Sequence, residues 1–235
     1  MRRIQIGVMG SAADLKYSKE TLKFARELGE EIANSGNVLV YGAEKEYTSL
    51  STEAAKSCTA SGGITVGVTS GKDKKIFGKY RPTVLINSGQ EIGGGREFNL
   101  VLSTDVIIAI SGGSGTLTEM AIAYQANIPI IVVDAFGGWA YKLSNQYIDD
   151  RERIKCLSAS TPKEEVKAIP KVIDALVVAM PKIITSVITV LTKAIPQLLS
   201  AAVQLLNAIV KAIPKIIPPL VAALPKIINT LVNGL

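Results

Sequence analysis

The sequence predicts an α/β protein: a doubly wound, Rossmann-like parallel sheet over residues 1–166, then an all-α amphipathic helical tail over residues 167–235. Three observations carry this. Nearly continuous Val/Ile runs alternate with stretches of helical apolar spacing, the pattern of strands buried on both faces and joined by crossover helices. Gly and small polar residues follow several of those runs. Near residue 166 the composition shifts: residues 1–166 carry 19 Lys+Arg and 19 Asp+Glu, whereas the remainder carries 7 Lys and a single Asp174. The net charge of +6 therefore belongs to the tail.

Taken in order, RIQIGVMG reads as a strand closed by Gly10, and SKETLKFARELGEEIANSG as a helix with Leu22, Ala25, Leu28 and Ile32 on one face. NVLVYG is a strand, SLSTEAAKSCTASGG a helix ended by Gly62 and Gly63, and ITVGVT a strand. TVLINSG, EFNLVLSTD, VIIAISGG, TLTEMAIAYQAN and IPIIVVD continue the alternation. The loops after the strands, GSAAD (10–14), YGAEKE (41–46), TSGKDKK (69–75), SGGSGT (111–116) and DAFGGW (134–139), converge on one edge of such a sheet, where ligands bind as strand order reverses.

Composition narrows the chemistry. The chain has no histidine, which excludes Ser-His-Asp catalysis, HExxH zinc sites and His-based acid catalysis. Cys58 and Cys156 lie far apart without metal-ligand spacing, so no metal site is expected. The opening MRRIQIGVMGSA passes straight into a glycine turn and does not read as a signal peptide, so a cytoplasmic protein is expected.

The chemistry centres on ISGGSGTLTEMAIAYQ, residues 110–125. Gly112, Gly113, Ser114 and Gly115 place backbone N–H groups at a helix N-terminus beside the Thr116 hydroxyl, an arrangement suited to a phosphate. It is neither a Walker motif nor GxGxxG. A tight strand-to-helix turn without a ligand is the plain alternative.

SGGSGTLTE, preceded by GGGREFNLVLSTDVIIAI, resembles the PGGxGTxxE signature and upstream arginine of the LOG family, the lysine decarboxylase-like proteins; GVMGSA and VLVYG fit it too. The resemblance covers most of residues 1–165 and implies a Rossmann-like fold of the SLOG superfamily. It further implies hydrolysis of the N-glycosidic bond of nucleoside 5'-monophosphates, with Arg96 and Glu119 as the catalytic pair. Gly112, Gly113, Ser114, Gly115 and Thr116 would then hold the phosphate, with Gly10, Ser11 and Gly42 completing the ligand site. No cofactor is required, the ligand being a nucleotide or a pterin. Ser111 in place of the motif proline, YGAEKE, and EIGGGREF favour the branch related to molybdenum-cofactor carriers, in which a phosphorylated pterin or nucleotide is bound without turnover. Plainer roles remain: Arg96 paired with Glu97 or Asp105, Glu119 facing solvent, Lys72, Lys74 and Lys75 merely solvated. Trp139 would cover a base or plug a loop.

In the tail, AIPK, AMPK, AIPQ, AIPK and ALPK start 11, 15, 18 and 11 residues apart, each close to a multiple of the helical repeat. Separate helices with Pro in the first turn, or one helix kinked repeatedly, both fit. The uncharged window 194–210 is short for a membrane span. So apolar a segment is expected to pack on its own domain, on itself or on another chain. It resembles the proline-punctuated helical repeats of phage tail tape measure proteins, and its pairing with a LOG-like domain also fits a chimeric fusion. The expected partners are a phosphorylated small molecule and a second copy of the chain, joined through the Rossmann-like domain and the tail. No nucleic acid is expected, and membrane contact by the tail is the less favoured alternative. An assembly scaffold driven by the tail is the rival reading of the whole.

Overall fold

A computed structural model describes residues 2–12 and 16–233, without the side chains of Val172, residues 174–184, Ser186, Val187 and Val232. The strands are β1 Gln5–Gly10, β2 Val38–Gly42, β3 Ile64–Thr69, β4 Val84–Asn87, β5 Val106–Ile110, β6 Ile130–Val133 and β7 Leu157–Ala159. Helices α1 Lys19–Asn34, α2 Leu50–Ala60, α3 Arg96–Leu102, α4 Ser114–Gln125, α5 Gly138–Lys142 and α6 Pro162–Val232 complete the chain. All seven strands are parallel, in the order β4-β3-β2-β1-β5-β6-β7. The chain winds outward from β1 to β4, then returns to the other side of β1 with β5. That reversal opens a crevice beyond Gly10 and Ile110, which are paired in register.

The alternating side chains of the strands feed two cores. Ile6, Val8, Val106, Ile108 and Ile110 pack with α1, α2 and Ile169 of α6 on one face; Met9, Ile107 and Ala109 pack with α3, α4 and α5 on the other. Helix α1 buries Phe24, Ala25, Leu28 and Ile32 and is capped by Ser18, whose hydroxyl accepts from Thr21 N–H at 3.1 Å. Helix α2 is capped in the same way by Ser49 on Thr52 N–H at 3.1 Å. The two helices cross closely at Gly29, where a Cβ would overlap the Ala54 carbonyl.

Two compact units result, Met1–Val177 and Val178–Leu235. Three short pieces go beyond the sequence expectation: β7, α5, and a 3-10 turn at Asp134–Phe136. DAFGGW is therefore not simply a loop. Of the two tail readings, α6 is one helix continuing through its prolines rather than several. Its segment Ile188–Leu231, 44 residues, is long and apolar enough to cross a membrane by length and composition, which the uncharged window alone did not suggest. Cys58 and Cys156 are buried, and burial pushes both thiols up to about 11.

Candidate functional site

At the reversal point, the turn out of β5 is locked onto the turn out of β1. Ser11 Oγ donates to Ser111 Oγ at 3.2 Å and accepts from Gly112 N–H at 2.9 Å. Ser111 sits in the left-handed region with φ of 55°, which a proline, fixed near −65°, cannot adopt. The departure from the LOG signature is thus a different corner rather than a neutral exchange. Gly112 follows at φ 96°, and a Cβ there would overlap the Thr116 side chain. From outside, Trp139 N–H donates to Gly112 O at 3.0 Å and Ala140 N–H to Ser111 O at 2.9 Å.

Helix α4 then starts without a side-chain cap; its N-cap is Gly113, and Leu117 N–H donates back to Gly113 O at 3.1 Å. The N–H groups of Ser114, Gly115 and Thr116 are those a helix leaves without an internal partner, and all three residues line a cavity of about 310 Å³. A Cβ on Gly115 would meet nothing within 4 Å. Its missing side chain leaves that wall open.

A second part of the cavity lining is built around Arg96, 4% exposed at the start of α3. Its Nη2 donates to Glu44 Oε1 at 2.8 Å and lies 3.6 Å from Glu97 Oε1. Glu97 in turn accepts from Gly93 N–H at 3.1 and 3.0 Å. Arg96 Nε and Nη1 are buried with no hydrogen-bond partner among the described residues. Gly42 makes this possible, because a Cβ there would overlap Nη1. Glu119, half-buried in the same cavity, has its carboxyl pushed up to about 8 by burial; Arg96 pulls it down, and Glu44 and Glu97 push it up. Glu44 is also raised, first by burial, against the pull of Arg96.

The cleft therefore has two chemical ends. Uncapped backbone amides and the Thr116 hydroxyl suit an anion. Arg96 and three glutamates offer donors and acceptors to a planar or hydroxylated group. A neighbouring cavity of about 210 Å³ shares Glu44, Tyr47 and Ile92 and adds Lys45 and Glu91. No cluster suited to a metal ion occurs among the described residues.

All of the sequence-predicted residues that line the main cavity come together there: Gly10, Ser11, Gly42, Arg96, Gly113, Ser114, Gly115, Thr116 and Glu119. Gly112 shapes the corner without lining it, and Gly42 acts by making room for a guanidinium. Of the plain alternatives for Arg96, Glu97 is a neighbour, but Asp105 is held by Arg2. Lys72, Lys74 and Lys75 are exposed and line neither cavity. Trp139 braces the corner through its backbone, its ring stacked under Lys142 Nζ at 4.5 Å. Ala13 and Asp14 of the GSAAD loop lie outside the described residues. Sequence reasoning missed Glu44, Glu97 as a wall residue, Tyr47, Ser49, Ser51 and Ile92; the only signal was the position of Glu44 two residues after the glycine that closes β2.

The profile of the SLOG cluster4 family matches residues 3–166. An uncharacterized protein of Archaeoglobus fulgidus is 33% identical over 125 residues, 53% of this chain and 76% of that protein. The molybdenum cofactor binding protein of the phototrophic bacterium Rippkaea orientalis superposes with a TM-score of 0.61 at 27% identity, covering 74% of this chain and 99% of that one. The molybdenum cofactor carrier protein of Chlamydomonas reinhardtii does so with a TM-score of 0.60, also at 27% identity and the same coverage.

Proposed function

The chain belongs to the SLOG cluster4 family, and on that premise we propose that its cleft binds a phosphorylated small molecule with a nucleotide- or pterin-type ring. The observation that carries the reading is Arg96, a buried guanidinium with two nitrogens left without partners among the described residues, in the lining of the cavity that also holds an uncapped helix N-terminus. Buried unpaired donors cost free energy, so a ligand acceptor that completes them binds with a corresponding gain. The phosphate sits at Ser114–Thr116, and the ring reaches the Arg96–Glu44–Glu97 group, where amide-like ring edges exchange donors and acceptors.

The two structural relatives named for the molybdenum cofactor support the pterin side, with the ligand held as cargo and not turned over. The test is equilibrium binding of a panel of nucleoside 5'-monophosphates and a pterin phosphate. Arg96→Met is expected to weaken the best of them by at least about tenfold, the scale of a charge-assisted hydrogen bond. Equal affinity in the variant would overturn the reading.

A second reading, hydrolysis of nucleoside 5'-monophosphates, is favoured by Glu119. A carboxyl neutral below about pH 8 can give its proton to the departing base while water adds to the anomeric carbon. Free base released by the intact chain and lost in Glu119→Gln, with a rate that falls as pH rises through about 8, is the expected result if this reading holds. The absence of base from every monophosphate, with binding retained, leaves the carrier.

A cytoplasmic homo-oligomer formed through the first unit belongs to the same proposal. Phe98 and Leu102, one turn apart on α3, are 55% and 58% exposed, an apolar pair suited to a second copy. Phe98→Lys is expected to lower the sedimenting mass.

A further inference from the structure

The cleft gives no role to the second unit, Val178–Leu235, which carries the longest run of exposed apolar side chains among the described residues. We infer that its segment Ile188–Leu231 lies along the surface of an anionic lipid bilayer, apolar side down. Lysines recur at 171, 182, 193, 215 and 226, every 11 residues, with Gln204 at the skipped step. Eleven residues make about three turns of an α-helix, so this spacing keeps one direction along a helix. Lys211, one turn before Lys215, joins it.

Within Ile188–Leu231, Gln197, Ser200, Asn207 and Asn229 fall on the same arc as Lys193, Lys211, Lys215 and Lys226. Leu198, Leu205, Ile209, Ile213, Ile216 and Ile227 fall on the opposite side, each 44% or more exposed. This is a wide apolar face with a narrow basic one, the geometry of an interfacial helix. The prolines follow it: Pro196, Pro214, Pro218, Pro219 and Pro225 all lie on or beside the lysine arc. Carbonyls left without a proline N–H partner thus open toward the polar side, where water can bond them.

Charge selects the occupant. No Asp or Glu follows Asp174, whereas five lysines do. A second copy of this segment offers the lysine arc no acidic side chain, and the segment lacks the heptad spacing of a left-handed coiled coil. An anionic headgroup layer complements every lysine at once. Crossing the bilayer is opposed by the spacing. The longest uncharged window, 194–210, is about 25 Å of helix against a hydrocarbon core of about 30 Å, so a crossing would draw a lysine into the core, where its charge is strongly disfavoured.

The test is flotation of the full chain with vesicles of phosphatidylcholine and phosphatidylserine, compared with phosphatidylcholine alone. Binding to the anionic vesicles more than about tenfold stronger is expected, as each near-surface lysine contributes several-fold. Lys193→Glu, Lys211→Glu, Lys215→Glu and Lys226→Glu combined should abolish it, while the corresponding Lys→Arg set retains it. A membrane-impermeant amine reagent should label all four lysines from outside. Equal binding to neutral vesicles, one lysine shielded by crossing to the lumen, or no flotation together with a tail-dependent soluble multimer would each overturn the inference.

Discussion

Gly115 is the residue whose substitution separates binding from folding. Its φ is ordinary and a Cβ there meets open space, so Gly115→Ala is expected to leave the fold intact and strengthen α4 by up to about 1 kcal/mol while intruding on the phosphate position. Thermal denaturation paired with ligand titration checks this: an unchanged or raised melting temperature with weakened binding. Gly42→Ala is the contrasting case. Its Cβ overlaps Arg96 Nη1, and it is expected to cost about 1–3 kcal/mol and to displace the guanidinium. Glu119 supplies a pH signature. Its carboxyl is raised from 4.5 to about 8 in the fold, so the folded state holds the proton through that interval. The stability it contributes is complete below about 4.5 and is lost as pH rises through 8. Glu119→Gln should therefore gain stability relative to the unsubstituted chain as pH rises across that window; denaturant melts at its two ends measure it.

At the scale of elements, the glycine corner was legible in sequence because few ligand-free turns need Gly112, Gly113 and Gly115 together. The Arg96 wall was only half legible. Its arginine was identified by resemblance, but Glu44 comes from a loop 52 residues earlier, brought alongside only because β2 lies between β3 and β1. Nothing local in YGAEKE marks which of its two glutamates turns inward. The strands were readable because their Val/Ile runs are buried on both faces, whereas β7 and α5 are too short to leave a period. Helix packing makes its own prediction. Gly29→Ala forces α1 away from the Ala54 carbonyl of α2 and is expected to destabilise by about 1–3 kcal/mol, seen as a lower denaturation midpoint without loss of secondary structure. The first turns of α6 are anchored by Ile169 but carry a cost in Glu165, fully buried, without a hydrogen-bond partner among the described residues, and raised well above the usual carboxyl range by burial and Asp134. Glu165→Leu should stabilise the chain above neutral pH.

For the molecule as a whole, the two units divide the work: Met1–Val177 holds both apolar cores of the sheet and the cleft, and Val178–Leu235 holds the basic amphipathic helix. A chain ended at Val177 should keep ligand binding, because every residue lining the cleft lies before it. The charge asymmetry between the halves was plain from composition, but its use was not, since one helix with lysines on a common arc and several short helices share the same residue counts. The central claim is that the uncapped α4 N-terminus and the unpaired Arg96 nitrogens together hold a phosphorylated ligand. Its most direct test is calorimetric titration of the intact chain with a panel of nucleoside 5'-monophosphates and a pterin phosphate, each beside its dephosphorylated counterpart. The account predicts that at least one phosphorylated member binds, more than about tenfold tighter than its counterpart, and that Gly115→Ala weakens it. Binding that ignores the phosphate, or no binding by any phosphorylated member, would contradict it.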